Sequence, residues 1–171
     1  MCDLFEIKSE VVVDGEHVFC KVCYVINSKY IVGDWCAWSL CGTVVLSFLG
    51  LIDRLERCCL IDFGIDVCLG DVFDSLNRAI WEDDFSILDR FAKNSVEAID
   101  CVAIPFGVES FDGEMAFCVK IDGEEAFVWR DFESKKYLVL KLKKNHFWLF
   151  WVIGFLWLLI VTGKQIGRAH V

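Results

Sequence analysis

Ten cysteines and three histidines are, by type, the residues of this 171-residue chain best suited to chemistry. Cys20-Lys-Val-Cys23 has the CxxC spacing of half a zinc site, and a structural site needs a second pair in a comparable loop. Cys36 and Cys41 are too far apart to complete it, and Cys58 and Cys59 are adjacent. "HVFCKVCYVI" reads as a strand, on which Cys20 and Cys23 fall on opposite faces. The expectation is buried free thiols acting as small hydrophobes, with no metal and no cofactor. "MCDLFEIKSE" lacks the charged and then apolar opening of a signal peptide. A reducing, cytoplasmic setting is therefore expected, and disulfides are not.

His17 is the one histidine ahead of the C-terminal tail, where His146 and His170 lie. Any Ser-His-Asp or Cys-His arrangement would have to use it, and no nucleophile elbow accompanies it. The sequence has no P-loop, no GxGxxG after a strand and no HExxH. Asp83-Asp84 is a carboxylate pair of the kind an acidic chain produces as a solvated turn. No catalytic residue is assigned, and a non-enzyme is expected.

Charge is divided unevenly. All 26 acidic residues lie between Asp3 and Glu133, against ten of the 17 basic ones, so residues 1–134 carry −16 and the remainder +7. Such a front portion is unsuited to nucleic acid, because gripping phosphate needs clustered Lys and Arg. Its field suits a basic protein partner. A chain that is 56% hydrophobic with one proline is neither disordered nor collagenous.

The elements that must position these groups follow from periodicity. Residues 4–13, 16–26 and 29–32 read as a three-strand meander, turning at Asp14-Gly15 and Asn27-Ser28 and ending at Gly33-Asp34. Val45, Phe48, Leu49, Ile52 and Leu55 form a helical stripe between about Gly42 and Cys58. A second helix is expected from Asp71, as its N-cap, through Val72, Phe73, Leu76, Ile80 and Trp81. Phe85, Leu88 and Phe91 suggest a third. Strands return at Ile99–Ile104 and at Met115–Ile121 and Glu125–Trp129, the last two joined at Asp122-Gly123. Strands, then helices, then strands is an α+β order: an antiparallel sheet of N- and C-terminal hairpins packed by two or three central helices. Trp81, beside Glu82, Asp83 and Asp84, suits either the core or an interface with an acidic rim. Trp129 is open to the same two readings.

Residues 1–134 are read as one acidic domain and 135–146, with Lys135, Lys136, Lys141, Lys143 and Lys144, as a basic linker. Phe147–Gly163 is uncharged throughout. As a helix it would span about 25 Å, just short of a typical hydrocarbon core. It is read as a membrane anchor, with the preceding lysines holding the acidic domain in the cytoplasm. Residues 164–171 include "QIGRAHV", Gln165–Val171, which matches the in-frame translation of a short-read sequencing adapter. They are expected to be foreign and are left out of the fold.

"INSKYIVGD" (Ile26–Asp34), the leucine-rich helix, the acidic middle and "IPFGVESFDGEMAFCVKIDGEEAFVWRD" (Ile104–Asp131) together resemble the Immunity protein 42 family of bacterial polymorphic toxin systems. The resemblance covers about residues 4–134. It is carried by Gly33-Asp34 and by Phe111-Asp112-Gly113, with Glu114 standing where the family pattern often has a tryptophan. It implies a cytoplasmic antitoxin that binds a cognate, basic toxin domain. The candidate contact residues are then Trp81, Glu82, Asp83, Asp84, Asp112, Glu114, Glu124 and Glu125. The rival readings are an acidic scaffold or sensor anchored in the inner membrane through residues 147–163, and a thiol-based metal or redox module.

Overall fold

The computed structural model describes residues 5–57, 62–64, 66–84, 86, 98–131 and 134–142. The third helix, Cys58, the apolar segment 147–163 and residues 164–171 lie outside the described residues. Among the described residues no helix is long and apolar enough to cross a membrane. The order is α+β as expected, and the strands divide between two antiparallel sheets. The chain separates into two compact units. Of the described residues, the first holds 5–52 and 105–114, and the second holds 53–104 and 115–142.

In the first unit β1 (Phe5–Asp14) pairs antiparallel with β2 (His17–Ile26), with Asp14 opposite His17 at the hairpin end. The tight loop is Gly15-Glu16, one residue later than expected, with Gly15 at φ +59°. The left-handed Asn27 and Ser28 return the chain to β3 (Tyr30–Val32), which also pairs with β2. A two-residue strand, β4 (Ser39–Leu40), docks on the other half of β2, placing Ser39 opposite Cys20. Strand alternation sends Cys20, Val22, Tyr24 and Ile26 to one side of β2, where all are buried.

Helix α1 (Cys41–Arg57) follows β4 directly. Its buried residues in the first unit are Cys41, Val44, Phe48 and Leu51, whereas Leu46 and Leu49 are exposed. The expected stripe through Val45, Leu49 and Ile52 is therefore displaced by about one position. The helix is apolar around so much of its circumference that spacing alone does not choose the buried ridge.

In the second unit α2 spans Leu69–Trp81. It starts two residues before Asp71, with Cys68 at the N-cap and no side-chain cap, so Asp71 lies within the first turn instead of capping it. Val72, Phe73, Leu76 and Ala79 are buried. Phe73 meets Phe117 of β5 (Ala116–Ile121) edge-on, with ring centroids 5.2 Å apart. β5 pairs with β6 (Glu124–Arg130) across Asp122-Gly123, both at positive φ, as a two-residue hairpin of this composition requires.

Two expectations are corrected. The apolar run expected as a strand at Ile99–Ile104 forms a 3₁₀ turn, Ala98–Cys101, followed by a single bridge from Val102 to Phe117. A continuous buried run carries no period to separate the two forms. The basic linker contains a strand: β7 (Tyr137–Lys141) completes the second sheet alongside β6, with Leu140 buried opposite Phe127. Its one lysine, Lys141, is of the kind an edge strand commonly carries.

Candidate interaction surface

Trp81 is the last residue of α2, and 69% of its surface is exposed. The helix explains this. Trp81 lies two residues beyond buried Ala79, about 200° around the axis at 100° per residue, and so leaves the apolar face. Core burial is excluded for Trp81. It holds for Trp129, which is 3% exposed in β6.

The acids after Trp81 form the helix terminus. Glu82 is the C-cap, and its N–H donates to the Arg78 carbonyl at 2.8 Å. Asp83 follows at φ +51°, a left-handed conformation that a short polar side chain tolerates. The Asp84 carboxylate accepts hydrogen bonds from the Ser86 hydroxyl at 2.6 Å and the Ser86 N–H at 3.0 Å, and is paired with the Arg78 guanidinium. The Ser86 hydroxyl, then its N–H, then Arg78 hold the Asp84 carboxyl below the usual carboxylate range. Arg78 also faces Glu82, at 3.4 Å. One guanidinium thus serves two of the three acids, and Asp83 is the exposed carboxylate with no ion-pair partner among the described residues.

Elsewhere in the same unit, exposed Glu124 is paired with Lys141 of β7 at 2.7 Å. Lys141 has its pKa raised by that hydrogen bond and charge. Glu125 is half-buried and sits opposite Lys120 in the ladder. Within the sheet the candidate acids Glu124 and Glu125 are thus set against lysines.

Asp112 and Glu114 belong to the first unit, where Asp112 is exposed and Glu114 half-buried. Gly33, Asp34 and Phe111 do come together there. Gly33 lies against the Ser110 carbonyl and the Phe111 ring, the Asp34 N–H donates to the Ser110 carbonyl, and Phe111 packs on Tyr24 at 4.7 Å. Gly113, at φ +81°, closes the turn after Phe111. The two sequence patterns are one packing motif of a β-meander against a returning loop.

A cation–aromatic cluster on the β1–β2 hairpin went unread in the sequence. Lys8 Nζ lies 4.0 Å from the Trp35 ring centroid, and Lys21 Nζ 4.2 Å from that of Trp38. Lys21 also pairs with Glu10 at 3.3 Å, its cross-strand neighbour. The alternation of Lys8 and Glu10 in β1 and the Trp35-x-x-Trp38 spacing were its only signals. Contacts of this kind contribute about 0.5–1 kcal/mol each at exposed sites.

His17 is exposed at the end of β2, its ring 6.2 Å from Phe19. Cys20 aligns with Val11 and Cys23 with Lys8, so the CxxC thiols occupy opposite faces of the sheet. Burial raises the Cys23 pKa to about 11, with Lys8 opposing. Among the described residues, no group of three or more His, Cys, Asp and Glu is placed to hold a metal ion. No family model, no curated protein and no solved structure matches the chain.

Proposed function

We propose that this chain is an immunity protein: a binding protein that neutralises a basic toxin domain through an acidic surface, without turning over a substrate. The observation that carries the reading is the exposure of Trp81, 69%, at a helix terminus followed by three acids. An exposed tryptophan with acids beside it supplies what a binding hot spot needs, an aromatic anchor to be desolvated and a charged rim to steer the encounter. Residues 1–52 and 105–114 of the first unit add a net −6, nine acids against three bases. The second unit is milder, because β7 and its neighbouring lysines belong to it: 17 acids against 12 bases, or −5. Trp81, Glu82 and Asp83 are therefore favoured as the contact, over Glu124, which Lys141 neutralises.

The test uses Glu82→Lys with Asp83→Lys, sparing Asp84 because Ser86 and Arg78 hold it. Association with the toxin domain encoded by the adjacent gene is followed by stopped flow from low to high salt. The proposal expects a slower on-rate and a flatter salt dependence. An unchanged rate and slope would remove this patch from the interface.

A second reading rests on the uncharged run Phe147–Gly163 behind five lysines. It makes the chain a membrane-anchored acidic scaffold or sensor. Fractionation of the intact gene product separates the two: recovery in the membrane pellet after a carbonate wash favours the anchor, and soluble recovery favours the antitoxin.

A further inference from the structure

Cys20 and Cys41 meet inside the first unit, and their thiols are hydrogen-bonded to each other. The backbone places the two residues in neighbouring positions. Cys20 is fixed opposite Ser39 by the β2–β4 pairing, and Cys41 begins α1 directly after that strand. Cys20 is fully buried and Cys41 is 6% exposed. By contrast Cys23 lies on the opposite face of β2, and Cys36 and Cys68 are exposed. We propose that Cys20 and Cys41 are a two-electron redox pair, which a hydroperoxide oxidises to an intramolecular disulfide joining β2 to the first residue of α1.

The chemistry assigns different roles to the two sulfurs. The hydrogen bond from Cys20 lowers the Cys41 pKa, and the same bond together with burial raises that of Cys20. Cys41 is thus the more acidic of the two and the one that reacts as thiolate, with Cys20 as its hydrogen-bond donor. The first residue of a helix is also where backbone dipoles favour a negative charge. The Cys41 thiolate attacks one oxygen of hydrogen peroxide. The O–O bond breaks, the departing hydroxide takes up a proton as water, and Cys41 becomes a sulfenic acid. The Cys20 sulfur then attacks the Cys41 sulfur and the S–O bond breaks. The hydroxide released carries off the Cys20 proton as a second water. Two thiols have lost two electrons and the peroxide has gained them. The step requires only a small oxidant, which suits a residue at 6% exposure. This inference is independent of the proposed function.

Peptide mapping tests it on the full-length protein, reduced, desalted and exposed to hydrogen peroxide. Free thiols are blocked by iodoacetamide under denaturing conditions, and the chain is digested with trypsin without reductant. Cys20 lies in the peptide Ser9–Lys21 and Cys41 in Tyr30–Arg54, which also carries Cys36. The expected product is a linked pair of these peptides, two hydrogens lighter than their sum, with fragment ions placing the bond at Cys41. Dithiothreitol restores the separate peptides. Cys36→Ser leaves the link intact, and Cys41→Ser abolishes it. The wild-type map stands as the test if Cys41→Ser fails to fold. The proposal is overturned if Cys20 and Cys41 both remain open to alkylation while Cys36 and Cys68 are oxidised. It is equally overturned if the bond maps to Cys36, or if Cys41 ends as a sulfinic acid beside a free Cys20.

Discussion

Gly33 is pressed against Phe111 so closely that it has no room for a side chain. A Cβ on Gly33 would stand 2.7 Å from the Ser110 carbonyl oxygen and 3.3 Å from the Phe111 ring, and the backbone there is at φ +104°. The oxygen belongs to the main chain, so it cannot swing aside as a flexible side chain would. Gly33→Ala is expected to destabilise the protein by about 2–4 kcal/mol, from clash and strain together. Gly15→Ala, at φ +59° with nothing near its Cβ, is expected to cost about 1 kcal/mol. Urea unfolding of the two variants checks the difference. Equal costs would mean that the contact contributes nothing beyond backbone conformation.

Trp81 and Trp129 make opposite predictions. Trp81 is mostly exposed, and truncation to alanine is expected to change stability by less than about 0.5 kcal/mol while weakening partner binding by about 2 kcal/mol or more. Trp129 is buried, and its truncation is expected to cost about 3–5 kcal/mol of stability. Thermal melts and isothermal titration of both variants read the two effects separately. Full affinity in a folded Trp81→Ala variant would remove the anchor from the proposed surface.

The contrast between those tryptophans shows what the sequence could and could not express. Both Asp-Gly hairpins were legible, the first to within one residue and the second in place, because such pairs have a local reason to turn, seen in the positive φ of Asp122 and Gly123. The Gly33 and Phe111 patterns were legible as marks on the chain, but not as partners, since only the returning loop brings them together. The buried ridge of α1 was not legible, because Leu46 and Leu49 are as apolar as Val44 and Leu51 and only the tertiary neighbours choose between them. β7 was hidden by Lys141 and the lysines that flank it, whose charge reads as linker although an exposed edge tolerates it. The acids at 82–84 were legible as a cluster; that Arg78 serves both Glu82 and Asp84 was not.

Asp84 gives a pH dependence with a definite sign. Its carboxyl is held below the ordinary range, first by the Ser86 hydroxyl, then by the Ser86 N–H and Arg78. A pKa lower in the folded than in the unfolded state means that the carboxylate stabilises the fold above its unfolded value of about 4. That contribution is lost as pH falls through the lower folded value. Ser86→Ala is expected to move the Asp84 pKa up toward the ordinary value and to reduce stability at neutral pH. It should have little effect on stability at a pH where both states are protonated. A carbon-detected NMR titration of Asp84 in the two proteins checks the shift. An Asp84 pKa unmoved by the substitution would assign the depression to the Ser86 N–H, which alanine keeps, and to Arg78.

β7 decides where the second unit can be cut. Its five residues pair in register with β6, from Arg130 opposite Tyr137 to Ala126 opposite Lys141. Leu140 is buried, and the Tyr137 ring lies 5.7 Å from that of Phe73 on α2. A chain ending at residue 134 loses this strand, leaves the β6 edge open and uncovers Phe73. Removing a buried leucine alone costs about 2–5 kcal/mol, a large share of a domain's stability. A chain of residues 1–134 is therefore expected to lose amide-exchange protection in β6 and α2, while residues 1–146 retain it. Hydrogen-exchange mass spectrometry of the two truncations makes the comparison peptide by peptide. Protection of β6 that survives in the shorter chain would show that the first two strands of this sheet, with α2, hold their fold without the third.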